Sequence, residues 1–263
     1  MSPAHRWRVG SLVAIAIAAA VVAGVVPPIR QDLAYHDFAD QRAILTVPHG
    51  LNVLSNLGFL LAGSWALVRV TRAALPGWER AAGIVFAMGL VLTGLGSAWY
   101  HAAPDNATLV WDRLPLSALF PAVFAVAIGD RIGSAAGRAL LAPLALGAVA
   151  SVVWWRQMDD LRPYALAQFL PMLLIPLMLA LLPGRRPAGP LLAGIALYAV
   201  GKGAELADRA IFVLSGLVSG HTLKHLLAAA AAALIVRWLV AVPAPSDARR
   251  SPPALATRPA RRL

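Results

Sequence analysis

The sequence contains no cysteine and unusually little charge. The missing thiols exclude disulfides and thiolate metal sites, and leave the compartment open. Charged residues make up 13% of the 263 positions, against about 25% in a soluble globular domain. A soluble globular chain is therefore excluded. Acids are scarcer than bases, with 12 Asp and Glu against 23 Lys and Arg, for a net charge of +11. In a soluble protein that excess would suggest nucleic acid. Here it lies in short loops and the C-terminal tail, where it is a topology signal and implies no nucleic-acid partner.

What the chain does have is apolar length. Hydrophobic residues are 59% of the sequence and the mean hydropathy is +0.70. Apolar runs at 11–28, 51–71, 80–101, 108–129, 137–155, 164–182, 190–213 and 220–241 each approach the roughly 20 residues that a helix needs to cross a bilayer. The expected class is all-α, a polytopic membrane bundle of eight helices with no internal repeat. Residues 1–31 form a tail and anchor helix, 32–241 a seven-helix domain, and 242–263 a basic, Pro- and Ala-rich tail expected to be disordered. Arg6 and Arg8 ahead of an Ala-rich stretch also resemble a secretory signal. The apolar run of about 18 residues exceeds the roughly 7–15 of a signal core, and Pro27-Pro28 follows it, so an uncleaved anchor is expected.

With the N-terminus inside, the inner segments hold 15 of the 23 basic residues but only Glu79, Asp130 and Asp247 of the 12 acids. The positive-inside rule then places both termini in the cytoplasm. On this map His36, His49, His101, His221 and His225 all fall at the outer ends of helices or in outer loops, level with Ser97 and Asp112. His221 and His225 are four apart, on one face of the last helix. Such a pair holds two coordination positions of a metal, and His101 ends the third helix at matching depth. Three neutral imidazoles plus water make the open tetrahedral site of a catalytic zinc. Ser97 lies one turn deeper than His101 on the same face, and Asp112 opens the next helix across a short loop.

The segments Gly96-Ser97-Ala98-Trp99-Tyr100-His101, Asp112-Arg113-Leu114-Pro115 and His221-Thr222-Leu223-Lys224-His225 together resemble the alkaline ceramidases and the wider superfamily that includes the adiponectin and progestin receptors. Asn52-Val53-Leu54-Ser55-Asn56 resembles the ceramidases specifically. The resemblance covers about residues 32–240. It implies a seven-helix bundle around Zn2+, to which this chain adds one N-terminal helix. It implies His101, His221 and His225 as ligands, with Ser97 and Asp112 beside them. The family's acidic, calcium-associated segment corresponds to Asp37-Phe38-Ala39-Asp40-Gln41-Arg42, which keeps two acids. His49 stands where the family usually has an acid. A family-type Ca2+ site is therefore not expected, since calcium needs a set of oxygen ligands. Asp37, Asp40 and His49 are then outer-loop groups or a lid over the zinc. Lys224 stands where the ceramidases usually have an aromatic residue. Glu205 and Asp208, three apart on one face, have two readings: an ion-pair cluster with Lys202 or Arg209, or support for a zinc-bound histidine.

The resemblance implies a lipid amide hydrolase that cleaves an N-acyl lipid, ceramide or another, to a fatty acid and a long-chain amine such as a sphingosine-type base. Zinc-bound water would be the nucleophile, Asp112 the general base and acid, and Ser97 a donor to the oxyanion. The Arg- and Ala-rich composition points to a GC-rich bacterium, hence to an inner membrane with the zinc near the periplasmic face. No protein partner is evident. Two other classes stay open: a receptor-like protein with a structural zinc, and a transporter whose Glu205, Asp208 and Lys202 line an ion path. The transporter lacks support from repeat symmetry or paired broken helices.

Overall fold

The computed structural model describes residues 2–241, so the expected disordered tail from 242 onward lies outside the described residues. The chain is all-α there: α1 (Pro3–Val25), a 3-10 turn (Leu33–His36), α2 (Gly50–Ser55), α3 (Leu57–Arg72), α4 (Gly77–Ala102), α5 (Asn106–Arg131), α6 (Ser134–Met158), α7 (Arg162–Leu181), α8 (Ala188–Leu206), α9 (Asp208–Ser215) and α10 (Gly220–Val240). Counting α2 and α3 as one, seven helices among the described residues are long and apolar enough to cross a membrane. The protein is an integral membrane helix bundle. The eighth long helix, α8, has 19 residues and fails that test of apolarity, because Lys202 and Glu205 sit within it.

Two of the runs read as single spans are interrupted. The span Gly50–Arg72 steps at Asn56, whose side-chain Nδ2 donates to the Asn52 carbonyl at 2.8 Å and so draws the chain off the regular ladder. The run 190–213 is two helices, not one. It breaks at Ala207 (φ −96°, ψ 20°), whose N–H turns back to the Gly203 and Glu205 carbonyls, while the next residue, Asp208, is drawn towards α10 (below).

The main packing contacts run α4 on α5, α8 on α10, α5 on α6 and α3 on α4. Two glycines set the closest approaches. A Cβ on Gly96 would collide with the Trp111 carbonyl, and one on Gly220 with the Ala204 carbonyl. Both crossings lie at the same end of the bundle as the histidines. By contrast α1 packs against α7 and buries only Leu12. Its link to the bundle is completed by the Arg8 side chain on the Leu181 carbonyl (2.9 Å) and by the Ile29 carbonyl accepting from Leu161 N–H (2.8 Å).

α4 is 26 residues long, about 39 Å, so it exceeds the roughly 30 Å hydrocarbon core and carries polar groups at both ends. At its start Glu79 is buried with Asp130, Arg131 and Arg186. Arg186 pairs with both Glu79 and Asp130, Arg131 with Asp130 at 3.1 Å, and the half-exposed Arg185 with Glu79 at 2.9 Å. Arg186 also stacks over Trp238, 5.4 Å from the ring centroid. This lock joins the start of α4, the end of α5, the α7–α8 turn and the end of α10. Removing one partner of a buried pair strands the other, at about 3–5 kcal/mol. Glu79→Gln is therefore expected to destabilise the protein by about that amount in detergent unfolding. Arg185→Gln, whose side chain is 47% exposed, should change stability by no more than about 1 kcal/mol.

Candidate metal centre

At the opposite end of the bundle the last turn of α4 meets the first two turns of α10. His221 and His225 project from α10 and His101 from α4. All three are buried, and one ring nitrogen from each lies within 4.8 Å of the others. The ring centroids form a nearly equilateral triangle with sides of 4.7, 4.8 and 4.9 Å, and the planes are steeply inclined to one another. Imidazoles on a tetrahedral ion with M–N bonds of about 2.0–2.1 Å have centroids about 5 Å apart, so the triangle fits one ion. The His101 Nδ1 atom is buried without a hydrogen-bond partner, which also suits a ligating cluster better than a packed core. The sequence expectation that these three residues meet is borne out.

The surroundings explain how the rings are held. Ser219 caps α10, accepting from Thr222 N–H at 3.1 Å. Asn52 Oδ1 accepts from the Thr222 and Ser219 hydroxyls (2.7 and 3.3 Å), fixing α2 to the first turn of α10. One turn on, the Ser55 hydroxyl donates to the Asn52 carbonyl (2.9 Å) and so accepts from His225 Nδ1–H (2.7 Å). That bond sets the tautomer and leaves Nε2 of His225 as the bare nitrogen. Asn52 and Ser55 lie in the segment Asn52-Val53-Leu54-Ser55-Asn56, to which sequence alone gave no role at the metal centre.

Asp208 takes neither Lys202 nor Arg209 as a partner. Its Oδ1 accepts from His221 N–H (2.7 Å) and its Oδ2 from Ala39 N–H (2.8 Å). It thus joins α10 to the loop that follows α1. That loop brings Phe38, which sequence reasoning missed, onto the triad: its ring is 4.6 Å from His101 and 4.7 Å from His221, and only 2% exposed. A single aromatic in a loop carries no periodicity that could have marked it. The acids flanking Phe38 are engaged by arginines. Asp37 pairs with Arg209 at 3.1 Å on the surface, and buried Asp40 with Arg42 at 2.8 Å. Hydrogen bonds from the Arg42 side chain hold the Asp40 carboxyl below the usual carboxylate range. A lowered carboxyl stabilises the fold above its ordinary value and loses that contribution as pH falls through the lowered one, so this clamp is intact at neutral pH. His49 adopts a left-handed backbone (φ 51°) at the start of α2, its Nδ1–H donating to the His101 carbonyl at 2.9 Å. Held conformations of this kind cluster at functional sites.

Glu205 makes the ion pair with Lys202 that one of its sequence readings expected, and no hydrogen bond to a histidine. It pairs with Lys202 and, at 2.8 Å, with Lys224, and its Oε1 is 3.9 Å from His221 Nδ1. Lys224 also donates to His221 Nε2 at 2.9 Å. The side chain of Lys224 is 16% exposed, so it belongs to the site and not to a solvated face.

Ser97 and Asp112 line one cavity of about 300 Å³ together with His225, Glu205 and Lys224. Ser97 and Asp112 stand on adjacent helices, α4 and α5, whose close approach is made possible by Gly96 against Trp111. The cavity continues between α4, α5, α7, α8 and α10 along Leu90, Leu119, Ile175, Leu191 and Ile235. Ile235 is ten residues past His225 on α10, about 15 Å along the axis. The polar end therefore sits at His225 and an apolar shaft leads away from it. His36, also read at this level, lies outside the triad, bonded to the Tyr100 hydroxyl (2.8 Å) and Asn106 (3.0 Å).

Ser55→Ala removes the acceptor for His225 Nδ1–H, and is expected to weaken divalent-metal affinity about 10–100-fold in chelator competition, with the helical content unchanged. His221→Ala should abolish stoichiometric binding in the same assay.

No family model matches the chain, and no curated protein matches it.

Proposed function

We propose that the protein is a zinc-dependent intramembrane hydrolase of lipid amides, of the kind the alkaline ceramidases represent, releasing a fatty acid and an amine. The observation that carries this reading is one cavity. Ser97, Asp112 and His225, the last a member of the buried imidazole trio, stand at the polar end of an apolar shaft inside a membrane bundle. All-nitrogen, neutral ligation suits zinc, and His101, His221 and His225 would hold it. When bound, zinc supplies Lewis acidity and a water acidified towards about pH 7.

The chain's own groups supply the rest. Asp112 takes the proton of the attacking water and passes it to the leaving amine nitrogen. The Ser97 hydroxyl donates to the oxyanion that develops on the amide carbonyl. Leu90, Leu119 and Ile235 hold the acyl chain, so that binding of the tail aligns the amide. Phe38 excludes bulk water from the outer side of the triad. Asp208 keeps the first turn of α10 in place. The distribution of arginines supports cytoplasmic termini, which sets the site near the periplasmic face of a bacterial inner membrane.

Metal analysis and turnover test this together. About one zinc per chain is expected, absent in His221→Ala. Loaded protein should release fatty acid from an N-acyl lipid, lose that activity with chelator and regain it with zinc. Asp112→Asn should lower kcat by about 10²–10⁴ and Ser97→Ala by about 10²–10³, both with zinc retained. A fully loaded protein that cleaves no N-acyl lipid in a screen across acyl length and amine would overturn the hydrolase reading.

A further inference from the structure

One cation of this cavity differs from the others in its partners. Arg113, on α5, is 6% exposed and lines the same cavity as Ser97 and Asp112. A guanidinium stays charged and carries five N–H donors. Arg113 uses one, from Nη2 to Gln31 Oε1 at 2.7 Å, and its Nη1 is buried with no hydrogen-bond partner. Among the described residues it makes no ion pair. Asp112 precedes it in sequence and lines the same cavity, but the two make no ion pair. The other cations of the cavity, Lys202 and Lys224, share Glu205, and buried Arg131 and Arg186 each have a carboxylate.

What Arg113 has instead is aromatic walls. Its Cζ lies 4.2 Å from the Trp155 ring centroid, 5.0 Å from Tyr164 and 5.6 Å from Tyr35. Ring faces stabilise a cation and fix its plane, but they give Nη1 no acceptor. A buried charge that lacks a partner is expensive, and one that borders a cavity can be matched by what fills it. The planar fork suits a carboxylate, which it grips with two parallel bonds.

We propose that Arg113 binds the head-group carboxylate of an acidic lipid amide, so that the ligand class of this cavity is the N-acyl amino acids. The inference rests on the reading of the cavity as the lipid amide site and narrows the amine it takes. In such a lipid the carboxylate stands two bonds beyond the amide nitrogen. Asp112 and Ser97 then meet the amide, Arg113 the carboxylate, and the apolar shaft the acyl chain. A neutral amino alcohol in the same place leaves the fork unmatched.

Equilibrium binding to the purified full-length protein tests this without turnover. The probes are N-oleoylglycine and N-oleoylethanolamine, which share chain and amide and differ in carboxylate against hydroxymethyl, with oleate as a third arm. The acid should bind about tenfold more tightly than the alcohol, the share of one charge-assisted contact. In Arg113→Met that ratio should fall to about one, with Arg113→Lys intermediate because a point charge lacks the fork. A wild-type ratio of one or less overturns the proposal even if Arg113→Met fails to fold. So does an Arg113-dependent affinity for oleate equal to that for N-oleoylglycine, which would assign the fork to the fatty-acid carboxylate. Hydrolysis is scored separately. Discrimination without cleavage sinks the hydrolase and leaves the carboxylate site standing, whereas cleavage with a ratio of one does the reverse.

Discussion

Three imidazoles in mutual contact, shut away from water inside a membrane bundle, are the constraint around which the rest of this structure is arranged. Each ring carries a donor and an acceptor that lipid cannot satisfy. Packing alone would avoid bringing them together. The chain instead commits four segments to holding them there: the end of α4, the start of α10, the short α2 and the loop that carries Phe38. Ser55 fixes the His225 ring, Lys224 reaches Nε2 of His221, and Asp208 anchors the backbone beneath His221. The close crossings at Gly96, α4 on α5, and at Gly220, α10 on α8, lie at this same level.

The bundle is polarised along its axis. At one end four buried charged residues neutralise one another. At the other end Ser97, Asp112, Arg113 and Lys224 line a cavity. The same types of side chain serve opposite ends, and what separates them is that each charge of the lock meets an opposite charge, whereas Arg113 makes no ion pair among the described residues and lines the cavity.

Much of this was legible in the sequence. Apolar run length gave the helices, and the i, i+4 spacing of His221 and His225, with the depth of His101, gave the triad. Both are local or nearly local signals. The break at Ala207 was not legible, because α8 and α9 are separated by the pull of Asp208 on residues of α10 and the loop, which are contacts no periodicity encodes. The parts played by Phe38 and Ser55 were hidden for the same reason. Arg113 is different. An arginine inside an apolar run is costly enough to be a functional marker by itself, yet within Asp112-Arg113-Leu114-Pro115 it reads as a variable position between motif residues. Glu205 followed its ion-pair reading, with Lys202 and Lys224 as partners.

Asp208 has one further consequence. A single carboxylate holds the loop of Phe38 with one oxygen and the first turn of α10 with the other. The position of the loop and the setting of His221 are therefore two ends of one equilibrium, and linkage between them is reciprocal. Whatever draws His221 into its ligating pose favours the loop in place, and whatever lifts the loop loosens the ligand by the same free energy. The loop over the candidate metal centre and the helix turn that carries His221 hang on one side chain.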